Sequence, residues 1–236
     1  MTDERALDPN RLARVTTMLG GDTGGDAEHS LCENSASVAR VSGAGVVLIL
    51  HGRALGTVCS SNDVAETVEE VQYTLGEGPC IDAFTTRQPV MEPDLAADDG
   101  VRWPGFREGA LAAGIHAAFG FPILVGPVCI GALNLYQDHS GTLSDDQVAD
   151  AEAIAHVAGR IVMDWQSVAG EGSLARQLEH LPANRAVVHQ ATGMVSVQAA
   201  VPIDDAATML RAYAFATNRP VHDVATAVVA RDLRFG

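Results

Sequence analysis

The chain has 236 residues, 47% of them hydrophobic, and a formal net charge of −15. That length suits one ordinary domain plus a smaller one, and the longest uninterrupted apolar run, residues 46–50 (VVLIL), is far too short to span a bilayer. The acidity argues against a chain that coats nucleic acid along its whole length, yet it is uneven: residues 1–173 carry 9 Arg against 25 acidic residues, and residues 174–236 carry 6 Arg against 5. Every basic residue is Arg, which suits bidentate contacts to phosphate or guanine and equally reflects a genome's base composition. The opening MTDERALDPN lacks a charged-then-apolar signal pattern, so a cytoplasmic protein without a membrane partner is expected. Cys32, Cys59, Cys80 and Cys129 are scattered with no C-x-x-C pair, so neither a zinc knuckle nor a disulfide framework is predicted and the thiols are expected to be reduced.

In chain order, residues 8–19 and 28–41 read as helices separated by the turn-forming run GGDTGGD at 20–26. Residues 46–50 and 57–60 read as two strands of a hairpin bridged by HGRALG, and the first, apolar throughout, belongs inside a sheet. Residues 63–71 fit a helix, 73–80 (YTLGEGPC) a loop punctuated by Gly and Pro, and 81–86 a further helical turn. A short strand at 89–91 follows, Trp103-Pro104 closes an irregular acidic stretch, and 106–113 are helical. Residues 117–125 and 128–136 flank Gly126-Pro127 as an antiparallel pair. Hairpins mixed with helices give an α+β domain built on one antiparallel sheet.

A long helix begins after Thr142, with Ser144 as its N-cap and Asp145 and Asp146 in the first turn. Val148, Ala151, Ala155, Ala158, Val162 and Trp165 advance in alternating steps of three and four, a heptad seam, while Ile154, Val157 and Ile161 form a second stripe. One stripe is expected to cover the sheet and the other to meet a second subunit. Past AGEGS at 169–173, Leu174, Leu178 and Leu181 resume a helical spacing until Pro182. Three short helices then fit residues 185–229. Val187, Ala191, Met194 and Val195 make a narrow stripe interrupted by Gly193; Ala206, Met209, Leu210, Tyr213 and Ala214 make the second; Val221, Val224, Ala225, Val228 and Val229 make the third, with Pro220 at its start. So small a trio is expected to have little core of its own and to depend on a partner copy.

LGEGPCIDAF at 75–84, RWPGF at 102–106, FPI at 121–123 and IGALNLY at 130–136 together resemble the GAF family of sensor domains. R-x-x-x-x-Q-A-x-G-M at 185–194, A-x-x-x-L-R-x-x-A at 206–214 and VHDVATAVV at 221–229 resemble the ANTAR family of RNA-binding antitermination domains. The resemblance implies a GAF-like α+β domain (residues 1–143), a coupling helix (144–181) and a small all-α three-helix ANTAR-like domain (182–236). It further implies a homodimeric transcription antiterminator that holds RNA hairpin loops in nascent messages, under control of a small-molecule or redox signal at the GAF domain. Single-stranded loops suit such recognition because their splayed bases expose faces and edges that duplex RNA hides. The RNA-facing residues implied are Arg185, His189, Gln190, Thr192, Gly193, Arg211, Tyr213, Asn218 and Arg219. Where many members of the family carry Lys, this chain has Thr192, which removes a phosphate contact.

Some of these residues have a second reading. Arg211 equally fits a solvated helix position or a partner for Asp204 or Asp205. Cys80 fits a small buried hydrophobe, and also a thiolate of lowered pKa beside a helix start. The latter leads to the alternative of a GAF-type redox enzyme or thiol sensor, with the tail serving dimerisation. His116 has no second ligand at a helical or strand spacing, so no metal site is predicted. Trp103, Phe106 and Phe121 suit either core or pocket lining, which makes the sensor-pocket candidates Cys80, Trp103, Phe106, His116 and Phe121. No catalytic residue is expected, and the sequence names no cofactor.

Overall fold

The structure, a computed structural model, describes residues 7–20, 27–50, 53–97, 102–169, 183–217, 219 and 221–236. The described elements are α1 (Pro9–Leu19), α2 (Ala27–Ala39), β1 (Gly43–Leu50), β2 (Arg53–Ser60), α3 (Asp63–Leu75), α4 (Pro79–Thr86), β3 (Val90–Glu92), α5 (Pro104–Ala112), β4 (Ala117–Val125), β5 (Val128–Gln137), α6 (Asp145–Ala169), α7 (Ala183–Ala199), α8 (Ile203–Ala216) and α9 (Val221–Val229). They fall into two compact units, Met1–Glu171 and Gly172–Gly236. The helical spacing at Leu174, Leu178 and Leu181 lies outside the described residues.

Local chemistry sets the ends of these elements. Asp8 accepts the Asn10 N–H at 2.9 Å to cap α1, with Pro9 at the first helical position. Asn62 caps α3 by accepting the Ala65 N–H at 2.9 Å, and Gly76, at φ 66°, supplies the left-handed residue that stops it. The loop expected at 73–80 is therefore shorter than its Gly and Pro content suggests: Tyr73 to Leu75 complete α3, and Pro79 already opens α4. At α6, Ser144 N–H donates to Gln147 Oε1 at 3.0 Å and Gln147 N–H to Ser144 Oγ at 3.3 Å, a reciprocal capping box.

In the first unit the five strands run in the order β2-β1-β5-β4-β3, each neighbouring pair antiparallel. Side-chain alternation splits them between two faces. Ala44, Val46, Phe119, Phe121, Leu133 and Leu135 join a core with α1, α2 and α6, while Ala118, Tyr136, Val47, Ile49 and Ala132 turn to the clusters that hold α3, α4 and α5. Helices on both faces explain why β1 is apolar without alternation.

The α6 seam does not stand free for a second subunit. Ala151, Ala155, Ala158 and Val162 are buried within the unit, as are Ile154 and Val157 of the second stripe, because α1 and α2 cover one side of the helix and β4 and β5 the other. Arg11 and Arg14 of α1 both pair with the buried carboxylate of Asp150, and Arg11 also reaches Asp146 at 2.9 Å. The expectation of four reduced thiols is corrected as well. Cys32 of α2 and Cys59 of β2 form a disulfide, their Cα atoms 5.8 Å apart. A separation of 27 residues carries no motif; the pairing arises because α2 lies across β2 and brings two inward-facing cysteines within bonding reach.

The second unit has a core of its own, against the expectation drawn from its size. Ala191 and Val195 of α7, Ala206, Leu210 and Ala214 of α8, and Val221, Val224, Ala225 and Val228 of α9 are all buried together. The segment after α9 enlarges that core: Phe235 packs edge-on to Tyr213 with ring centroids 5.4 Å apart, and its N–H donates to Gln198 Oε1 at 3.0 Å. Leu233 packs against the same cluster.

One buried ion pair secures the connection from β3 to α5. Arg107 Nη2 lies 2.9 Å from Glu92 Oε2, and the same guanidinium donates to the carbonyls of Leu95 at 2.9 Å and Arg102 at 3.1 Å. Arg107→Met would leave Glu92 buried without its cation, which costs about 3–5 kcal/mol. Thermal unfolding of this variant is expected to begin at least ~6 °C below the parent, at about 2–4 °C per kcal/mol; an unchanged midpoint would mean the pair contributes nothing.

Candidate functional site

Two places in the chain gather polar groups in a way that the core does not require. The first lies on the α3 and α4 face of the sheet. Glu69 and Gln72, three apart on α3, point at β5, where Asn134 and Tyr136 project two apart from the same face. Glu69 Oε1 accepts from Asn134 Nδ2 at 2.8 Å and from Tyr136 Oη at 2.9 Å. Gln72 Nε2 donates to Tyr136 Oη at 2.8 Å, and its Oε1 accepts the Cys80 N–H at 3.1 Å. Gly45 makes the arrangement possible, because a Cβ on that residue would stand 2.0 Å from Glu69 Oε1. All four polar residues are buried, and Asn134 Oδ1 has no hydrogen-bond partner among the described residues.

Cys80 borders this network as a thiol. Burial pushes its pKa well above the ordinary 9.0, and the Glu69 carboxylate pushes it further, while the Asn134 amide and backbone N–H groups act weakly the other way. The reading of Cys80 as a lowered-pKa thiolate is therefore corrected: the environment that a helix start would create is outweighed by complete burial. Tyr136 is raised above its ordinary 10.0 by the same two causes, burial first and Glu69 second.

Two of the four GAF-like signatures, LGEGPCIDAF and RWPGF, form one structural piece. Glu77 of LGEGPC caps α5, its Oε1 accepting the N–H groups of Gly105 at 2.9 Å and Phe106 at 3.0 Å. Arg102 of RWPGF pairs with Asp82 at 3.1 Å, and its guanidinium lies 4.1 Å from the centroid of the Trp103 ring. Trp103, at φ 51°, holds a left-handed conformation that a bulky residue seldom takes, fixed by its burial and by an edge-on contact with Phe106 at 6.1 Å.

The sensor-pocket candidates do not converge. Trp103 and Phe106 sit in the α3 and α5 cluster and Cys80 in the neighbouring one, but Phe121 points through the sheet to the opposite core, since its strand parity is that of Phe119 and not of Ala118. His116 is engaged through its backbone, accepting from Leu95 N–H at 2.8 Å and donating to Gln137 at 2.8 Å. A surface cleft of about 970 Å³ lies elsewhere, between Arg87 and Gln88 after α4, Pro122 and Leu124 of β4, and Glu152 and His156 of α6; of the five candidates only Phe121 lines it. The buried network carries the more specific chemistry, because its polar groups are desolvated and mutually aimed. Sequence reading missed Glu69, Gln72, Asn134 and Tyr136, although polar residues at spacing three on a helix and spacing two in the strand IGALNLY were the available signal.

The second place is the outer face of α7. His189 and Gln190 are exposed, Gly193 follows on the same face with open space where a Cβ would be, and Val197, one turn further, is 82% exposed. Thr192 is the exception among the residues implied for RNA contact. It is 3% exposed, and its Oγ1 donates to the Val188 carbonyl at 2.7 Å, so it faces the helical core and bonds its own helix. Tyr213 is half-buried with its ring committed to Phe235. Arg211 is half-buried, and Arg219 is exposed with a long 3.3 Å contact to the Asp223 carbonyl. The Arg185 side chain and Asn218 lie outside the described residues.

Residues 29–163 match the family model for the GAF domain, and residues 176–229 that for the ANTAR domain. No curated protein matches the sequence. The GAF domain from an Acinetobacter phosphoenolpyruvate-protein phosphotransferase superposes with a TM-score of 0.51 at 14% identity, over 71% of this chain and 98% of that one. The GAF domain of a phosphoenolpyruvate-protein phosphotransferase from Coxiella burnetii gives a TM-score of 0.50 at 16% identity, over 68% of this chain and 96% of that one. At these identities the likeness is one of fold.

The raised thiol and phenol make a pH prediction. The unfolded chain ionises Cys80 from 9.0 and Tyr136 from 10.0, whereas the folded protein keeps both protons to higher pH. The native state then binds more protons than the unfolded one, so stability is intact below pH 9.0 and falls as pH rises beyond it. Urea midpoints measured upward from neutral pH should show that decline, with Cys80→Ala flattening its first part and Tyr136→Phe its later part. A midpoint that rises with alkaline pH would contradict the assignment.

Proposed function

We propose, from the premise that this chain belongs to the GAF domain family and carries an ANTAR domain after it, that it is a signal-responsive transcription antitermination regulator binding RNA hairpin loops. The observation that carries the reading is the α7 face: exposed His189 and Gln190 supply hydrogen-bonding groups, Gly193 lets a backbone or base approach closely, and Val197 offers an apolar surface. Arg211 and Arg219 supply the phosphate contacts in this reading, and Thr192 and Tyr213 support the helices from inside. Arg185 and Asn218 complete the set of residues in this proposal.

The front domain, residues 1–143, reads the signal; residues 144–181 couple it; residues 182–236 deliver it to RNA. A homodimer working in the cytoplasm, where nascent messages are made in a cell without a nucleus, fits that role. Among the described residues no helix is long and apolar enough to cross a membrane. The sensor site in this proposal is the Glu69, Asn134 and Tyr136 network, whose open Asn134 acceptor suits a small hydrogen-bond donor. The redox-enzyme alternative built on Cys80 is disfavoured, because its thiol is fully buried and held protonated.

Fluorescence anisotropy of the full chain with a tandem-hairpin RNA, against the same RNA with scrambled loops, tests the reading. His189→Ala and Gln190→Ala are each expected to weaken binding about tenfold, while Thr192→Val changes it less than about threefold. Equal binding of the scrambled RNA, or a larger loss from Thr192→Val than from Gln190→Ala, would defeat it.

A further inference from the structure

The Cys32–Cys59 bond sits in the same buried cluster as Ala151, Ile154 and Ala158 of α6, against which Trp165 also packs. We propose that this pair is a reversible dithiol–disulfide couple through which redox state acts on α6. Beside its apolar packing, helix α2 has two specific ties. Its first half is bonded covalently to β2 through Cys32, and its last residue is tied to α6, where Gln147 Nε2 donates to the carbonyls of Ala39 at 3.0 Å and Arg40 at 3.2 Å. Breaking the first tie leaves α2 held to the sheet by apolar packing alone, while Gln147 still fastens its end to the first turn of α6. Arg11 and Arg14 of α1 hold the same end of α6 through Asp150. Reduction therefore weakens the support that α2 gives α6 and leaves the α1 ion pairs in place.

Exchange with a small dithiol proceeds through local opening at the sheet edge, where Cys59 is the less enclosed of the two residues. Strand β2 is the edge of the sheet, and Cys59 on it is 7% exposed against 0% for Cys32. A thiolate of the reductant attacks Cys59 Sγ, the S–S bond breaks, and Cys32 Sγ leaves with the electron pair and takes up a proton. The reductant's second thiolate then attacks its own sulfur in the mixed disulfide, Cys59 leaves and is protonated, and the reductant departs as a cyclic disulfide. Two electrons and two protons have passed to the protein, and a disulfide oxidant reverses the steps. Cys80 takes no part, since it lies on the other face of the sheet with Val47, Ile49 and Ala132.

The test uses the full chain equilibrated across ratios of reduced to oxidised dithiothreitol, then denatured and alkylated. Oxidised protein should offer the two free thiols, Cys80 and Cys129, and reduced protein all four. Tryptophan emission should change with the same midpoint and lose that response in Cys32→Ser and Cys59→Ser. RNA affinity should differ at least about fivefold between the end states. This last arm rests on the proposed function, whereas the thiol count and the emission do not. A reversible thiol transition with matching emission, in a protein that binds no RNA in either state, would support the couple and defeat the RNA reading. A count that stays at two or at four alkylatable thiols across every ratio, or a thiol transition that leaves both emission and RNA affinity unchanged, would overturn the proposal.

Discussion

Helix α6 cannot shift without disturbing the core of the first unit. The middles of its two apolar stripes are both buried, one side under α1 and α2 and the other against β4 and β5, and its first turns are bound by Gln147 to α2 and by Asp146 and Asp150 to α1. Burying a side chain such as Ile154 or Val157 stabilises by roughly 1.5–3 kcal/mol, so a rigid displacement of the helix would forfeit several such contributions at once. Small adjustments of the surrounding elements are the cheaper response. The same helix is the last described element of the unit, which makes it the physical candidate for carrying any change in the sensor onward.

The opposite face of the sheet is organised by a buried carboxylate rather than by an apolar cluster alone. Glu69 gathers Asn134 and Tyr136, Gln72 extends the chain of bonds to Cys80, and the Glu77 cap with the Arg102–Asp82 pair binds the two signature segments to each other. Removing one member of such a network leaves others desolvated without partners, a penalty that a fully apolar core would not incur. That vulnerability also makes the network responsive, because any group that hydrogen-bonds within it alters several elements together.

Much of the fold was legible in the sequence because its signals are local. The cap at Ser144, the Gly126-Pro127 hairpin and the change from period two to period 3.6 fall where the elements begin and end. What escaped were facts of spatial pairing. The α6 seam reads the same whether it meets another subunit or the chain's own α1 and α2. Cys32 and Cys59 carry no spacing rule, and only strand parity turns Phe121 to the core opposite Trp103, Phe106 and Cys80. On α7, the motif groups Thr192 with exposed His189 and Gln190, yet helical rotation turns it inward beside buried Ala191. The closing role of Phe235 was hidden because no periodic pattern extends past Val229.

In the proposed function the sensor acts on RNA binding through α6, and linkage requires the reverse: RNA bound at the second unit must alter the first. Hydrogen–deuterium exchange of the full chain, with and without tandem-hairpin RNA, reads this directly. Protection is expected to change within residues 145–169 as well as within residues 183–229. A response confined to residues 183–236, with exchange throughout α6 unaltered by saturating RNA, would contradict coupling through this helix.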